Sequence, residues 1–321
     1  MEICVDPRIE LISVVQLLSN DVMITHYDFA YKRDVLAHFL AYQRHEVVTL
    51  FQKMNVAGFT FHVVPRTMLC LGDPPQLHQK LKFDKDVLES VGDEQQLQAF
   101  VALLRDFAQQ SHFMEFFDRH RSTFDMVIQS VFATAKADMH QLRDYFGMPL
   151  KDAAFILGML LHKGGFGASY KDEQRLYIYA IIGPAGSMDD LPIFGPQQFI
   201  TEMIDHEFCH TVINPLTDAH AKQVESLAHR YQLVAERMQG QIGNTWSDCV
   251  TEHIMRAVTA RIIALRYGEK QSIALLHKHL AWGFIYVPRL LNALKRYEQQ
   301  RAQYPTIAAF YPELLQAFDE E

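Results

Sequence analysis

Hydrophobic residues recur at every third or fourth position along most of this chain, which is the spacing of one face of an α-helix. Within the first part of the chain this spacing predicts helices at residues 8–18, 31–54, 94–109 and 113–136. Residues 1–150 are therefore expected to form a mainly helical N-terminal region.

Two stretches in the middle of the chain break the helical pattern. Residues 153–161 form a short apolar run, and residues 175–182 form a second one that is rich in β-branched and aromatic side chains, which predicts two strands. The glycines at positions 164, 165 and 167 favour a loop that turns the chain between these strands. The expected fold class is α+β and predominantly helical, with a small mixed sheet in a second region, residues 151–321.

An H-E-x-x-H pentad, His206-Glu207-Phe208-Cys209-His210, lies in the following helical stretch. Residues four apart share one face of a helix, so both imidazoles can bind one Zn²⁺ at about 2.0–2.1 Å. Glu207 is placed to accept a proton from a water that the metal activates. Pro215 is expected to end this helix near Ile213, since a proline disfavours helical geometry in the residue before it.

Zinc needs a third protein ligand, and Glu252 is the first candidate. It lies on a predicted helix over residues 247–267, inside an apolar stripe where a carboxylate must meet a cation. That cation is either the metal or Arg256, one helical turn later. Glu225 is a weaker candidate on a separate helix predicted over residues 218–238. The remaining alternatives are Asp218, His220 and a site completed by water alone.

Stabilising a developing oxyanion needs one more donor beside the metal, and Tyr286 is the candidate for that role. The alternative interpretation of Tyr286 is an ordinary core tyrosine. His253 and Arg256 are the other candidates for the donor. His277 and His279 form an H-x-H pair, which is more often a surface feature than a metal site.

Four stretches of the sequence carry a family resemblance. They are residues 5–11 (VDPRIEL), the pentad with Asn214-Pro215, Glu252 with Arg256-Ala257, and residues 283–287 (GFIYV). Together they resemble the gluzincin metallopeptidases, and more closely a bacterial family of uncharacterised metallopeptidases described only as a domain of unknown function.

That resemblance implies a zincin-like catalytic region in residues 151–321, with Glu252 as the third zinc ligand. It also implies that strand 175–182 is an edge strand of the sheet, which lines the active-site cleft and pairs with a peptide backbone. The alternative interpretation of this stretch is an ordinary core strand. One position departs from the pattern, because Thr251 precedes Glu252 where the gluzincins best known for protein cleavage have asparagine.

Composition limits the kinds of partner. The 321 residues are 49% hydrophobic, enough for a full core, and the net charge of −8 disfavours nucleic acid as a partner.

Apolar runs stay below the roughly 18 residues that a transmembrane helix needs. The N-terminus lacks the basic and apolar regions of a signal peptide, which predicts a cytoplasmic protein unless a leader has been removed. Widely spaced cysteines indicate reduced thiols at Cys4, Cys70, Cys209 and Cys249.

These observations predict a zinc-dependent metallohydrolase, and most simply a peptidase that cleaves amide bonds in a peptide or protein substrate. His206, His210 and Glu252 would bind Zn²⁺, Glu207 would be the catalytic base, and Tyr286 would stabilise the oxyanion. The alternative is a non-catalytic protein that binds a peptide or a partner through a zincin-like fold. The intact Glu207 favours the enzyme, since a binding protein needs no base. The natural substrate, endo- or exopeptidase action and the oligomeric state stay open.

Overall fold

The computed structural model describes residues 2–83, 85–148, 153–171, 176–195, 197–238 and 245–319. The protein is predominantly helical with a small mixed sheet, which confirms the predicted α+β class. It divides into two compact units, Met1–Ala135 with Lys151–Ile200, and Lys136–Leu150 with Thr201–Glu321. The boundary predicted at residue 150 differs from this division, because the strands that follow it group with the N-terminal helices. Among the described residues, every helix is too short or too polar to cross a membrane.

Helices make up most of the first unit. They are α1 (Pro7–Leu18), α2 (Ala30–Phe39), α3 (Glu46–Ala57), α4 (Val63–Leu69), α5 (Lys85–Val91), α6 (Glu94–Gln110), α7 (Phe113–Arg119) and α8 (Arg121–Phe146), whose last residues are counted with the second unit. The single helix predicted over 31–54 is wrong, because His45 caps a new helix there: its Nδ1 accepts a hydrogen bond from Val47 N at 3.2 Å. The stretch predicted over 113–136 is likewise divided, at His120.

The sheet of the first unit contains β1 (Glu2–Cys4), β2 (Ala153–Leu157), β3 (Gly165–Lys171) and β4 (Leu176–Ile182), and a separate hairpin joins β5 (Gly186–Met188) to β6 (Leu191–Ile193). The strand order is β1-β2-β4-β3, with β4 parallel to β2 and antiparallel to β3. Two predictions are therefore wrong. The segment that contains Gly165 and Gly167 forms strand β3 instead of a loop. Strand β4 is an inner strand instead of an edge strand, because it is paired with β2 on one side and with β3 on the other.

A buried carboxyl group lies at the centre of this unit. Glu10 on α1 is fully buried, and its two oxygens accept hydrogen bonds from the Tyr31 hydroxyl at 2.9 Å and from Met159 N at 2.8 Å. Burial raises the pKa of Glu10 to about 8, and these two donors only partly offset that effect. Glu10 therefore joins α1 to the chain just beyond β2 as a neutral hydrogen-bonding group.

The second unit is helical in its described residues. It contains α9 (Gln197–Ala219) from Thr201 onward, α10 (Ala221–Ser226), a 3₁₀ helix (Ala228–Leu233), α11 (Ala235–Met238), α12 (Trp246–Tyr267), α13 (Glu269–Ala281), α14 (Val287–Gln299) and α15 (Ile307–Gln316). Helix α12 is central and packs against α10, α13 and α14. It begins one residue earlier than predicted, because Thr245 and Asp248 cap it reciprocally.

Helix α9 does not end near Ile213 as predicted. It continues through Pro215 to Ala219, although an interior proline removes one backbone hydrogen bond and costs about 3 kcal/mol. Tertiary contacts offset that cost, since the hydroxyl of buried Thr217 hydrogen bonds with Tyr311 at 2.6 Å and accepts a hydrogen bond from Thr251 at 3.0 Å. The single helix predicted over 218–238 is also wrong, and short helical segments occupy that stretch.

Two polar contacts tie α9 to α12 in an antiparallel arrangement. Arg266 donates to both oxygens of the fully buried Asp205, at 2.7 and 3.1 Å, and also to the amide oxygen of Gln141. Nearer the other end, Thr251 donates to Thr217 at 3.0 Å. The middle of both helices is thereby held in register, and that is where the H-E-x-x-H pentad lies.

Candidate metal centre

The pentad occupies the middle of α9, and its positions on the helix determine which of the five side chains are exposed. Phe208 and Cys209 are fully buried in the core of the second unit. His206 and His210 keep 21% and 28% of their side-chain surface exposed, and their ring centroids lie 5.1 Å apart. The two imidazoles therefore lie on one face, at the spacing that a single metal ion requires. Cys209 and Cys249 are buried free thiols.

Glu252 on α12 faces both imidazoles. Its Oε1 lies 3.8 Å from His206 Nε2 and 3.7 Å from His210 Nε2. The ligand atoms of the three residues all lie within 4.8 Å of one another. The structure therefore brings together the three side chains that the sequence selected as metal ligands.

Asn214 supports one of these imidazoles from the same helix. Its Oδ1 lies 3.2 Å from His210 Nδ1, one helical turn away. A carbonyl oxygen there favours a proton on Nδ1, which leaves the Nε2 lone pair directed toward Glu252 and available to a metal. In the sequence, Asn214 stands out only as part of the family resemblance, with no predicted role in the site.

Arg256 contacts Glu252 as well. Its Nη2 lies 3.1 Å from Glu252 Oε2, while its guanidinium carbon lies 4.0 Å from the centre of the Phe284 ring and 5.4 Å from that of Trp282. The two oxygens of Glu252 therefore face the two partners predicted for it, Arg256 and the imidazoles that could bind a metal. Oε2 faces Arg256, and Oε1 faces the imidazoles.

The charges of these groups follow from burial and proximity. Burial lowers the pKa of His206 to about 3, so the ring is neutral and can donate a lone pair. Burial by itself would raise the pKa of Glu252, but its neighbours outweigh burial and leave that pKa below its ordinary value. Because the His206 ring is neutral, the positive charge beside Glu252 is that of Arg256 at 3.1 Å. Glu252 is therefore ionised. Burial raises the pKa of Glu207 to about 7, within the range suited to a general base.

A cavity of about 250 Å³ opens beside the pentad. Pockets that enclose whole small-molecule ligands occupy roughly 300–1,000 Å³, so this cavity suits a single residue-sized group. The side chains on its walls include His206 and Glu207 from α9, Arg256 from α12, Lys278 and His279 from α13, and Trp282 just after α13.

The sequence analysis missed the contribution of α13 to this cavity. It treated His279 as part of a surface pair, whereas His279 is only 4% exposed. In the structure Ser272, Leu275 and His279 form one buried stripe along α13, of which the sequence shows only the spacing of three and four residues. That stripe indicates that His279 faces inward and that Lys278 follows the edge of the same face.

The other candidate residues lie elsewhere in the second unit. Tyr286 is almost completely buried, and its hydroxyl donates to Arg230 O at 2.8 Å, so this hydroxyl serves the core rather than the cavity. His253 is fully buried, with its Nδ1 2.7 Å from Cys249 O. Asp218 and Glu225 are exposed, and Nδ1 of His220 lies 2.9 Å from Leu216 O. The structure brings none of these side chains into the group formed by His206, His210 and Glu252.

Comparison with known proteins places the whole chain in one family. A search of curated proteins found no match, and a search of solved structures found none either. A family model matches residues 1–317. Its description assigns no activity, so the chemistry of the site has to be argued from the residues themselves. The match covers nearly the full length, and the chain belongs to the family described as a domain of unknown function, DUF4932.

Proposed function

We propose that this protein is a zinc-dependent hydrolase that cleaves peptide bonds. One observation carries the proposal: two histidines four residues apart on α9 and a glutamate from α12 converge, with their ligand atoms within 4.8 Å. A glutamate that is not one of these ligands, Glu207, lies next to them on the wall of a cavity. Three ligands that leave a position open are characteristic of catalytic zinc, whereas structural zinc takes four.

The donor set suits zinc. Neutral imidazole and carboxylate are the forms that bind the ion, and the pKa of His206 and that of Glu252 are both shifted toward those forms. Donor atoms about 2.0–2.2 Å from a tetrahedral ion stand about 3.3–3.5 Å apart. The observed separations of 3.7 and 3.8 Å are wider by only a few tenths of an ångström. The third separation, between the ligand nitrogens of the two imidazoles, stays within 4.8 Å.

Glu207 has the properties of the proton carrier. When bound, zinc would act as a Lewis acid and lower the pKa of water in the site. Glu207 is 5% exposed and lies on the cavity wall, and its pKa of about 7 allows it both to accept a proton and to release it near neutral pH. It would take a proton from the attacking water and deliver it to the departing amine.

The choice of a peptide substrate rests on the resemblance to gluzincins. Pairing of a peptide with β4 does not support a peptide substrate, since β4 is an inner strand. The cavity supports a substrate built of residue-sized groups, because its volume of about 250 Å³ accepts one such group beside the ligands. An amide carbonyl held there would lie next to both Glu207 and the metal ligands.

The rival interpretation is a metal-free structural cluster. The contact between Arg256 and Glu252 at 3.1 Å favours it, because an arginine can neutralise this carboxylate without any metal. Measuring bound metal in the purified protein by mass spectrometry separates the two. We expect one zinc per chain and hydrolysis of a mixed peptide library that stops with a chelator and returns with added zinc. A protein that neither retains nor takes up zinc would contradict the proposal.

A further inference from the structure

The cavity beside the metal ligands has an unusual distribution of charge. Its acidic groups, Glu202 and Glu207, both come from α9, whereas its cations, Arg256 and Lys278, come from α12 and α13. The walls formed by α12 and α13 are therefore basic, and a group that enters the cavity meets opposite charges on different sides.

Aromatic rings position both cations. The Lys278 ammonium lies 4.8 Å from the centre of the Trp282 ring, and Lys278 makes no ion pair within the described part of the chain. The guanidinium of Arg256 rests on Phe284, and its buried Nε has no hydrogen-bond acceptor among the described residues. Cation–π contacts hold a side chain in place without neutralising its charge, so Lys278 keeps its capacity for an anion. Arg256 already faces Glu252 through Nη2, and its unpartnered Nε is the group left for an anion.

His279 reports the same basic environment from the same wall. Burial lowers its pKa to about 3, and the neighbouring positive charges of Arg256 and Lys278 lower it further. Its Nδ1 is buried without a hydrogen-bond partner among the described residues. A neutral imidazole in this position leaves Lys278 and Arg256 as the groups that meet an anion.

We propose that this cavity binds a carboxylate of the substrate next to the bond that is cleaved, with Lys278 at its exposed rim and Arg256 deeper inside. The proposal rests on the proposed hydrolase function and names its substrate class: peptides with an acidic group beside the scissile amide. That carboxylate comes either from an aspartate or glutamate side chain or from the C-terminus of the peptide. Both sources present the same planar anion to the two cations.

Binding of small probes tests the cavity without any turnover. The probes are N-acetylglutamate amide, which has only a side-chain carboxylate, N-acetylglutamine, which has only a terminal one, and N-acetylglutamine amide, which has none. We expect at least one anionic probe to bind zinc-loaded protein about tenfold more tightly than the neutral probe, since hydrogen bonds to charged groups contribute about 1.5–3 kcal/mol. The better anionic probe identifies the source of the carboxylate.

Lys278→Gln should abolish this preference, and Lys270→Gln is the matched control. Lys270 is an exposed lysine near the start of α13 and is absent from the cavity wall. Equal affinity for all three probes, lack of binding by any of them, or an unchanged preference in Lys278→Gln would overturn the proposal.

Turnover separates this inference from the proposed function. Peptides that differ only in Glu against Gln beside the scissile bond, or in a free against an amidated C-terminus, should differ about tenfold in kcat/KM for the wild-type protein. Probe binding without any hydrolysis would remove the hydrolase and keep the anion pocket. Hydrolysis without a charge preference would keep the hydrolase and remove the pocket.

Discussion

Two buried glutamates show how differently this protein treats the same side chain. Glu10 in the first unit is surrounded by neutral donors, a tyrosine hydroxyl and a backbone amide, and its pKa rises to about 8. Glu252 in the second unit has two imidazoles on one oxygen and a guanidinium on the other, and its pKa falls below the ordinary value. The first is a neutral structural group, and the second is an anion.

A structural cluster and a candidate metal site differ in whether the carboxylate oxygens have hydrogen-bond partners. Both oxygens of Glu10 have conventional hydrogen bonds, so its cluster is complete. Around Glu252 the nearest imidazole nitrogens stay 3.7 and 3.8 Å away, beyond hydrogen-bonding distance, and Oε2 lacks a partner with hydrogen-bond geometry. Under the proposed function, a metal ion between these three side chains would complete the cluster.

The largest effect is expected at Glu207, with Glu10 as its control. Glu207→Gln should reduce turnover by about 10²–10⁴-fold while zinc content stays at the wild-type value, because the amide cannot accept the proton. Glu10→Gln makes the same chemical change in a complete cluster and should leave turnover unchanged. Steady-state kinetics and metal analysis on both variants make the comparison. Equal turnover in Glu207→Gln and wild type would contradict the catalytic role.

Removing the anion of the metal site should weaken zinc binding. Glu252→Ala is expected to reduce zinc affinity at least tenfold, whereas Glu225→Ala should not, because Glu225 is exposed and lies outside the cluster. Competitive chelator titration measures both affinities. Unchanged zinc affinity in Glu252→Ala, together with a lower Tm, would instead identify Arg256 as the true partner of this carboxylate.

Glu10 should make folding stability depend on pH. Its pKa is about 8 in the folded protein against an ordinary value of 4.5, so between these pH values the folded state keeps a proton that the unfolded state has lost. The stability that this proton provides is complete below about pH 4.5 and declines until about pH 8. We expect the wild-type protein to lose a few kcal/mol more than Glu10→Gln between pH 5 and pH 8. Urea unfolding at both pH values measures this loss, and parallel curves for the two proteins would show that Glu10 is ionised when folded.

Local patterns in the sequence predicted the fold class but not the pairing of its strands. A short apolar run located β2, and a run rich in β-branched and aromatic residues located β4, since such runs favour extended backbone. They carry no information about neighbours, and a glycine-rich segment became β3 because its partner β4 supplies the hydrogen bonds. Pro215 gave the wrong helix end for a related reason: the contacts of Thr217 with Tyr311 are distant in sequence.

The site was predictable where chemistry is local in sequence. Helical spacing set the relation between His206 and His210, and the apolar stripe around a lone carboxylate selected Glu252. Lys278 and Trp282 were not found, because only the folded chain brings α13 beside α9 and α12. Tyr286 was predicted to stabilise an oxyanion because it lies in a family-like segment. In the structure its hydroxyl donates a hydrogen bond to Arg230 O instead.

The ties at both ends of the α9–α12 pair have a consequence for how metal and folding are coupled. Asp205 with Arg266, and Thr217 with Thr251, fix the spacing of the two helices on either side of the ligands without using any ligand atom. Metal binding then requires little reorganisation of the backbone. In zinc fingers most of the metal's binding free energy drives folding, whereas a preformed site keeps that free energy as affinity. If zinc binds as proposed, the metal-free protein should have the same far-ultraviolet circular dichroism spectrum as the zinc-bound protein. It should also take up and release zinc without unfolding.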